Sequence, residues 1–551
     1  MSTLSRILRR LSEGANAFGG RLRRDQGGAI AIQFALLAIP LSVIVFALVD
    51  LGRISLQRRQ MQDALDAATL MAARSSATTD AGLEAVGDPA FVAEVAGLNM
   101  GLTASNATFK LNGANTVVGT ATATLTPIIA NLWTNSNFTV TASSEVLRST
   151  SKLEVALVLD NTGSMADTLG SGTKIDALKS AAQSLVTTLA AANGATTDSV
   201  KISVVPFASS VNIGSIYQTS GQTGGWLTGT LPPAYGSDVF ATSQNRFTLL
   251  TNLGLSWGGC VETRPDPYDV TDAGSTSSIG ASMFVPYFAP DEPDPGTVPY
   301  TTWWGIDYYD PDNNWITSDK TSSSDWFTRQ GYVSKYDSNN KTKLTTKAKN
   351  GSTTEGPNSG CGTASLLRLT DVTTSTGLNT VNTKLGQMVA SGSTNVAVGL
   401  MWGWHTLSPY SPFKDGRAYG TTGVKKIIVL LTDGDNNYTT LGNPNASAYT
   451  SYGYIWQGRL KNSSGVALGT SSTTTDRRDA IDSRQKLACA NAKTAGVIVY
   501  SIGVGVSTHS KAILQACATA SDYYYDVTDS SQLTAVFTAI ANSIGNLRIS
   551  K

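Results

Sequence analysis

The chain has 551 residues, 41% of them hydrophobic and 15% charged, with a formal net charge of +1. That length accommodates more than one domain, and the near-neutral balance excludes the broad positive field of a nucleic-acid-binding surface. Four cysteines without a CxxC pair, and only two histidines, argue against a Cys/His zinc site.

In chain order, the first feature is AIAIQFALLAIPLSVIVFALV, residues 29–49, which carries no charge. As a helix it is about 31 Å long, matching a hydrocarbon core of about 30 Å. The preceding segment, 1–28, holds Arg6, Arg9, Arg10, Arg21, Arg23 and Arg24 against Glu13 and Asp25. The positive-inside rule therefore predicts a single-pass anchor with a cytoplasmic N-terminus and everything after Asp50 exported. A cleaved secretory signal is the competing reading, but its apolar core is normally about 7–15 residues and ends in a small-residue site. Past the membrane, Ile54, Met61, Leu65, Ala68 and Ala72 share one helical stripe. Residues 116–126 and 138–147 alternate as strands. Residues 50–150 thus read as a small α+β stalk.

Three stretches, RRDQGGAIAIQFALLAIPL, VDLGR and LQRRQMQDALDAATLMAAR, resemble the TadE/TadG class of pilin-related proteins from tight-adherence (Flp) pilus systems. The resemblance implies a bacterial inner-membrane protein with a periplasmic C-terminal part. In pilin-like substrates, cleavage follows a glycine, with a glutamate five residues on. Gly28 fits the glycine, but Gln33 stands in place of the glutamate, so the segment is read as a retained anchor.

Residues 151–551 read as one α/β domain. Val155–Leu159 is an apolar run typical of a strand buried on both faces. It ends in Asp160-Asn161-Thr162-Gly163-Ser164, ahead of a helix whose face is Ile175, Leu178, Ala182, Leu185 and Leu189. A loop so placed lies at the carboxyl edge of the sheet, where open α/β folds bind ligands. In Asp-x-Thr-x-Ser, alternate side chains of an extended loop present one carboxylate and two hydroxyls to one point. Hard oxygen donors of low net charge suit Mg²⁺, although such loops also cap helices. Further on, GSTNVAVGLMWGW places Thr394 before a helix, and the apolar strand Ile427–Leu431 ends at Thr432-Asp433-Gly434.

The three loops in this order resemble the metal-ion-dependent adhesion site (MIDAS) of the von Willebrand factor A (vWA) family. The resemblance assigns Asp160, Thr162, Ser164, Thr394 and Asp433 to a metal, Mg²⁺ or alternatively Mn²⁺ or Ca²⁺. It also implies one coordination position open to a carboxylate from a partner. Thr162 replaces the more usual serine and keeps an oxygen ligand. Asp167 and Asp435, near the same rim, read either as a second cation site or as solvated turn residues.

The remaining elements are a strand at 200–208, a helix at 374–390, a helix at 477–495 capped by Asp476, and a strand at 497–505. A helix at 511–520, an edge strand at 522–527 and a helix at 532–544 close the chain. Alternation of strand and helix implies a doubly wound, mostly parallel sheet. Two insertions interrupt it, 215–370 and 436–475. The first holds Trp226, Trp257, Trp303, Trp304, Trp315 and Trp326 and is expected to form its own small core. Its aromatics read either as that core or as platforms for a glycan or pilin. DPDNN at 310–314 hints at calcium but lacks the other ligands of an EF loop.

Of three possible cysteine pairings, Cys489–Cys517 would tie neighbouring helices and Cys260–Cys361 would close the first insertion. Four buried free thiols are the alternative. GCVETRP, GLMWGWHTLSP and the C-terminal stretch from Cys517 resemble TadG-like proteins.

The function expected is a non-enzymatic binding and assembly component. It would be membrane-bound through one helix, would grip a pilus or pilus-assembly protein through a carboxylate, and would have no nucleic-acid partner. A metal-dependent hydrolase and a metal-free stalk are the alternatives. The metal loops supply no histidine or cysteine as base or nucleophile. His405 reads as packed, and His509 as part of a surface loop.

Overall fold

The fold is described from a computed structural model, over residues 26–75, 77, 79–97, 103–104, 107–112, 116–125, 138–147, 152–170, 172–191, 197–318 and 323–549. The arginines of the basic N-terminal segment lie outside these residues. The chain forms two compact units, Met1–Arg148 and Ser149–Lys551.

The first unit is led by α1, Gln26–Arg74, a continuous 49-residue helix. Its two halves meet different surroundings. Phe34, Leu37, Ile39, Leu41 and Leu48 are exposed, whereas Met61, Leu65, Ala68 and Ala72 are fully buried. The stretch from Ile32 is long and apolar enough to cross a membrane. Pro40 lies inside it, and two residues on the Ser42 hydroxyl bonds back to the Ala38 carbonyl at 2.7 Å, which satisfies the hydroxyl locally. The buried half packs with α2 (Asp80–Gly97) and an antiparallel sheet. That sheet consists of β1 (Thr103–Ala104), β2 (Thr108–Asn112), β3 (Thr116–Leu125) and β4 (Phe138–Leu147). β3 is the hub, pairing with the other three. The periodicity gave no sign of α2, because Gly87 and Pro89 interrupt its pattern like a loop.

The second unit is built on six strands: β5 (Lys152–Asp160), β6 (Val200–Phe207), β9 (Leu367–Asp371), β10 (Val424–Thr432), β11 (Val497–Val504) and β12 (Tyr524–Val527). β7 and β8 form a separate hairpin, Pro299–Thr302 and Gly305–Tyr308. Sheet order is β12-β11-β10-β5-β6-β9. All neighbours are parallel except β9, which runs antiparallel to β6 and was not anticipated. Along β5, Val155, Leu157 and Leu159 face one core while Ala156 and Val158 face another. On the first face lie α3 (Lys174–Ala191), α4 (Ser375–Gly386) and α8 (Leu533–Ile549). On the second lie α5 (Val396–Leu407), α6 (Thr474–Thr494) and α7 (Thr508–Cys517). α5 approaches so closely that a Cβ on Gly403 would sit 2.3 Å from Val158, and one on Gly399 would sit 2.5 Å from the Phe207 ring.

Capping corrects two sequence expectations. α6 is capped by Thr473, not Asp476; Asp476 is the reciprocal partner, returning a bond to the Thr473 N–H at 2.8 Å. α7 is capped by Ser507, so His509 belongs to a helical first turn rather than a surface loop.

Most of the first insertion's aromatic bulk joins the core under the sheet, while Leu231, Tyr235 and Val285 form a small cluster of their own. Trp226, Phe247, Trp257, Phe284, Phe288, Trp315 and Tyr336 join the same cluster as Val205, Phe207, Trp402 and Trp404. Its few short elements cannot enclose that much aromatic surface, and the sheet layer offers a ready face. Cys260 is bonded to Cys361 beside Tyr287, Tyr449 and Tyr454, and Cys489 to Cys517 between α6 and α7. Buried acids hold the two insertions together. Glu262 takes bonds from Arg246, Tyr449 and Arg459. Glu292 takes them from Tyr454 (2.9 Å), Asn445 (3.0 Å) and the Asp312 N–H (2.5 Å). The DPDNN loop is therefore closed around a carboxylate of the protein itself.

Burial, opposed by bonds from the Asp312 N–H and Tyr454 and reinforced by the Asp312 charge, pushes the Glu292 carboxyl up from 4.5 to about 7. A folded value above the unfolded one means Glu292 ionises more readily once unfolded. It therefore costs nothing below about 4.5, and subtracts stability progressively until pH reaches about 7, by about 3 kcal/mol in all. Denaturant unfolding at pH 5 and 7.5 should show a Glu292→Gln variant losing less stability over that interval than the parent. An unchanged slope would mean Glu292 is already ionised in the folded chain at pH 5.

Candidate metal centre

The site begins with a register. β5 and β10 are adjacent and parallel, with Leu159 opposite Leu431, so Asp160 and the Thr432-Asp433 pair emerge at the same edge. Asp160 is fully buried. One of its oxygens accepts the Thr162 N–H at 2.7 Å, and the other accepts the Thr432 hydroxyl at 2.6 Å. Burial, and then the Asp433 charge, push its carboxyl up to about 6.

From Asp160 the chain passes through an extended Thr162 into a 3₁₀ turn, Gly163–Ala166. This turns the next hydroxyls toward β10. Thr162 Oγ1 lies 3.1 Å from Ser164 Oγ, and Ser164 donates to Asp433 Oδ1 at 2.7 Å. Asp433 Oδ2 is paired at 2.8 Å with Lys174 Nζ, from the first residue of α3. The structure thus joins Thr162, Ser164 and Asp433 in one chain of contacts, with Asp160 tied to it through the Thr162 backbone and Thr432.

Thr394 is held to the same loops by backbone. Gly163 N–H donates to Gly392 O (2.9 Å), Ser391 N–H to Asn161 O (2.6 Å) and Asn437 N–H to Thr394 O (2.8 Å). Among the described hydrogen bonds, none joins its hydroxyl to the other four side chains. Lys174, Thr432 and Asn436 were missed from sequence. Lys174 reads as an ordinary polar residue opening a helix. Asn436 reads as a turn residue, yet its side chain caps α5 by accepting the Val396 N–H at 2.7 Å.

Asp167 and Asp435 are held differently. Asp167 is exposed, while Asp435 accepts from Ser507 (2.6 Å) and Ser510 and so fastens the third loop to α7. A different cluster, not foreseen, lies beside that loop. Ligand atoms of Asp479, Asp482 and His509 fall within 4.8 Å of one another. His509 Nε2 is 2.6 Å from Asp482 Oδ2, and Asn436 donates to Asp482 Oδ1 at 2.7 Å. Such a set can hold a metal ion, but Asp479 also receives the Arg478 guanidinium at 2.9 Å. His405 is packed against Phe284 and Trp402. Burial, then the Arg264 charge, hold its pKa well below the ordinary value.

The donors at the strand ends fit a small divalent cation. All are oxygens, and separations of 3.1 and 2.7 Å are near the roughly 3 Å edge of an octahedron with bonds of about 2.1 Å. Of the two buried carboxylates only Asp433 is paired with the ammonium, while Asp160 is held by neutral donors, which leaves negative charge for a cation to neutralise.

Comparison with known proteins adds the following. Residues 28–75 match the Flp pilus-assembly TadE/G-like family, Tad. No curated protein matches the chain. Among solved structures, similarity is found to the pilus adhesin SpaC from Lactobacillus rhamnosus GG (12% identity, TM-score 0.32), over 80% of this chain and 34% of that one. It is also found to the vWF domain of the type V pilus tip protein Mfa5 from Porphyromonas gingivalis (11%, 0.31), over 73% and 97%. A third is proximal thread matrix protein 1 of mussel byssus with a zinc-occupied MIDAS motif (10%, 0.27), over 72% and 47%. This chain thus spans about a third of SpaC and about half of the byssus protein. The sheet order, with helices on both faces, makes the second unit a doubly wound, mostly parallel α/β domain.

Replacing Lys174 by Met would leave the buried Asp433 carboxylate without its counter-charge. In chelator the variant should lose about 3–5 kcal/mol of stability, and millimolar Mg²⁺ should restore part of it in thermal unfolding. An equal loss with and without Mg²⁺ would make Lys174 a purely structural residue.

Proposed function

We propose that this chain, in which a TadE/G-like N-terminal segment is joined to a vWA-type domain, is a membrane-anchored, non-enzymatic protein-binding component of a tight-adherence pilus system. It would be held in the bacterial inner membrane by residues 29–49, with the vWA-type unit on the periplasmic side. The observation that carries the metal-dependent part is the Thr162–Ser164–Asp433 contact chain, which spans two strand ends. The anchoring and pilus context rest on the family match at residues 28–75 and on the exposed apolar half of α1.

At the rim, Thr162, Ser164 and Asp433 would hold Mg²⁺, or Mn²⁺ or Ca²⁺, with Thr394 from the second loop completing the protein's share. A bound divalent cation supplies concentrated positive charge with coordination positions left over for a further oxygen ligand. Asp160 works differently: both its oxygens are already engaged by Thr162 and Thr432. Its part is to hold the loop and add negative charge behind the hydroxyls. Lys174 sets the threshold, since its ammonium occupies Asp433 until displaced. A partner's carboxylate would then dock at the rim, and binding would be reversible by chelation. Hydrolysis would need a base within reach. The titratable groups of the contact chain are Asp160, Asp433 and Lys174, and His509 is bound to Asp482.

Calorimetric titration of the chain with Mg²⁺ and Mn²⁺, beside a Ser164→Ala, Asp433→Ala double variant, tests the reading. Binding by the parent and its loss in the variant is the expected outcome. Equal binding in both would place the cation elsewhere, with Asp479, Asp482 and His509 the first place to look.

A further inference from the structure

The hairpin β7–β8 carries its most apolar residues where nothing covers them. Trp303 and Trp304 are 92% and 93% exposed, and Ile306 is 73% exposed, while Trp226, Trp257, Trp315 and Trp326 of the same insertion are at most 6% exposed. Pairing of Thr302 with Gly305 makes the two tryptophans the whole turn. Two-residue turns ordinarily take Asn-Gly or a similar pair for backbone reasons, so tryptophan at both places does nothing for the turn itself.

Polarity is graded along the finger. No charge occurs from Pro295 to Ile306, and Asp294, Asp307 and Asp310 stand behind. Tyrosines flank the nearest acid: Tyr300 stands opposite Asp307 and donates to it at 3.1 Å, and it stacks on Tyr309 with centroids 4.4 Å apart. At about 3.3 Å per residue, Asp307 lies roughly 7–10 Å behind the turn. Segments that rest in a membrane interface sink about 5–10 Å, and Trp and Tyr favour that level.

We propose that this finger seats its tryptophan tip in the headgroup region of a zwitterionic phospholipid bilayer, giving the vWA-type unit a second membrane contact. The inference rests on the reading of residues 29–49 as a membrane anchor. A bilayer fits better than a folded protein partner for three reasons. Two tryptophans bury about 400 Å², half of the roughly 800 Å² per side of a stable protein interface. The tip is convex and needs a surface that deforms around it. The chain's own anchor also keeps a bilayer at high effective concentration, so a weak partition suffices. The acidic collar favours neutral over anionic lipid.

The test uses the full chain reconstituted into phosphatidylcholine vesicles with and without brominated acyl chains. Residues 29–49 contain no tryptophan, so any quenching that depends on the tip reports the finger. The expected result is quenching in the parent that is lost in Trp303→Ala/Trp304→Ala and in Ile306→Asp, with all three proteins co-floating with vesicles. Equal quenching in parent and variants overturns the finger and leaves the anchor standing. Failure of the parent to co-float overturns both. A photocrosslinker at position 303 that captures protein and no lipid also overturns the proposal.

Discussion

Two buried carboxylates at the ends of adjacent parallel strands govern the organisation of this domain. Register between β5 and β10 places Asp160 and Asp433 at one edge, where burial and the Asp433 charge raise the cost of charging Asp160. Parallel pairing leaves no freedom to separate them. The surroundings answer that cost in kind. Thr432 and the Thr162 backbone take up Asp160, while Ser164 and Lys174 take up Asp433. A rim built this way has residual negative charge and two hydroxyls facing each other, which are the attributes a small hard cation requires.

The sheet also explains why the insertions are not appendages. Aromatic side chains of 215–370 complete the layer that α5, α6 and α7 begin, those of 436–475 pack on Ala397, Ala480 and Ile481, and α5 itself sits tightly against the strands because Gly399 and Gly403 let it. Glu262 and Glu292 then clamp one insertion to the other through buried hydrogen bonds. Residues 436–475, which follow the loop after β10 directly, are thereby fixed to 215–370. The exposed tryptophan hairpin is the exception, projecting from a region whose other described tryptophans are buried.

The parallel strands and the loops at their ends were legible in the sequence because strongly apolar runs such as VALVL and IIVLL end in oxygen-bearing residues. The helix start at Asp476 was misread by three residues, since Thr473 and Asp476 cap reciprocally and either looks like the cap alone. β9 escaped notice as a strand of partly buried residues, LRLTD, with no apolar run. Lys174 could not be recognised, because its role depends on α3 folding back across the end of β10. The cluster of Asp479, Asp482 and His509 likewise exists only once α6 and α7 lie side by side. That most aromatics of the first insertion join the sheet-side core, with Leu231, Tyr235 and Val285 as a small cluster apart, was hidden for a related reason: aromatic content shows that burial is needed but not against what.

Anomalous diffraction at the manganese edge, from crystals of the chain grown with Mn²⁺, tests the central claim most directly. The account predicts a peak within bonding distance of Thr162, Ser164 and Asp433, with the Lys174 ammonium moved off Asp433. A peak confined to Asp479, Asp482 and His509, with Lys174 still paired to Asp433, would contradict it.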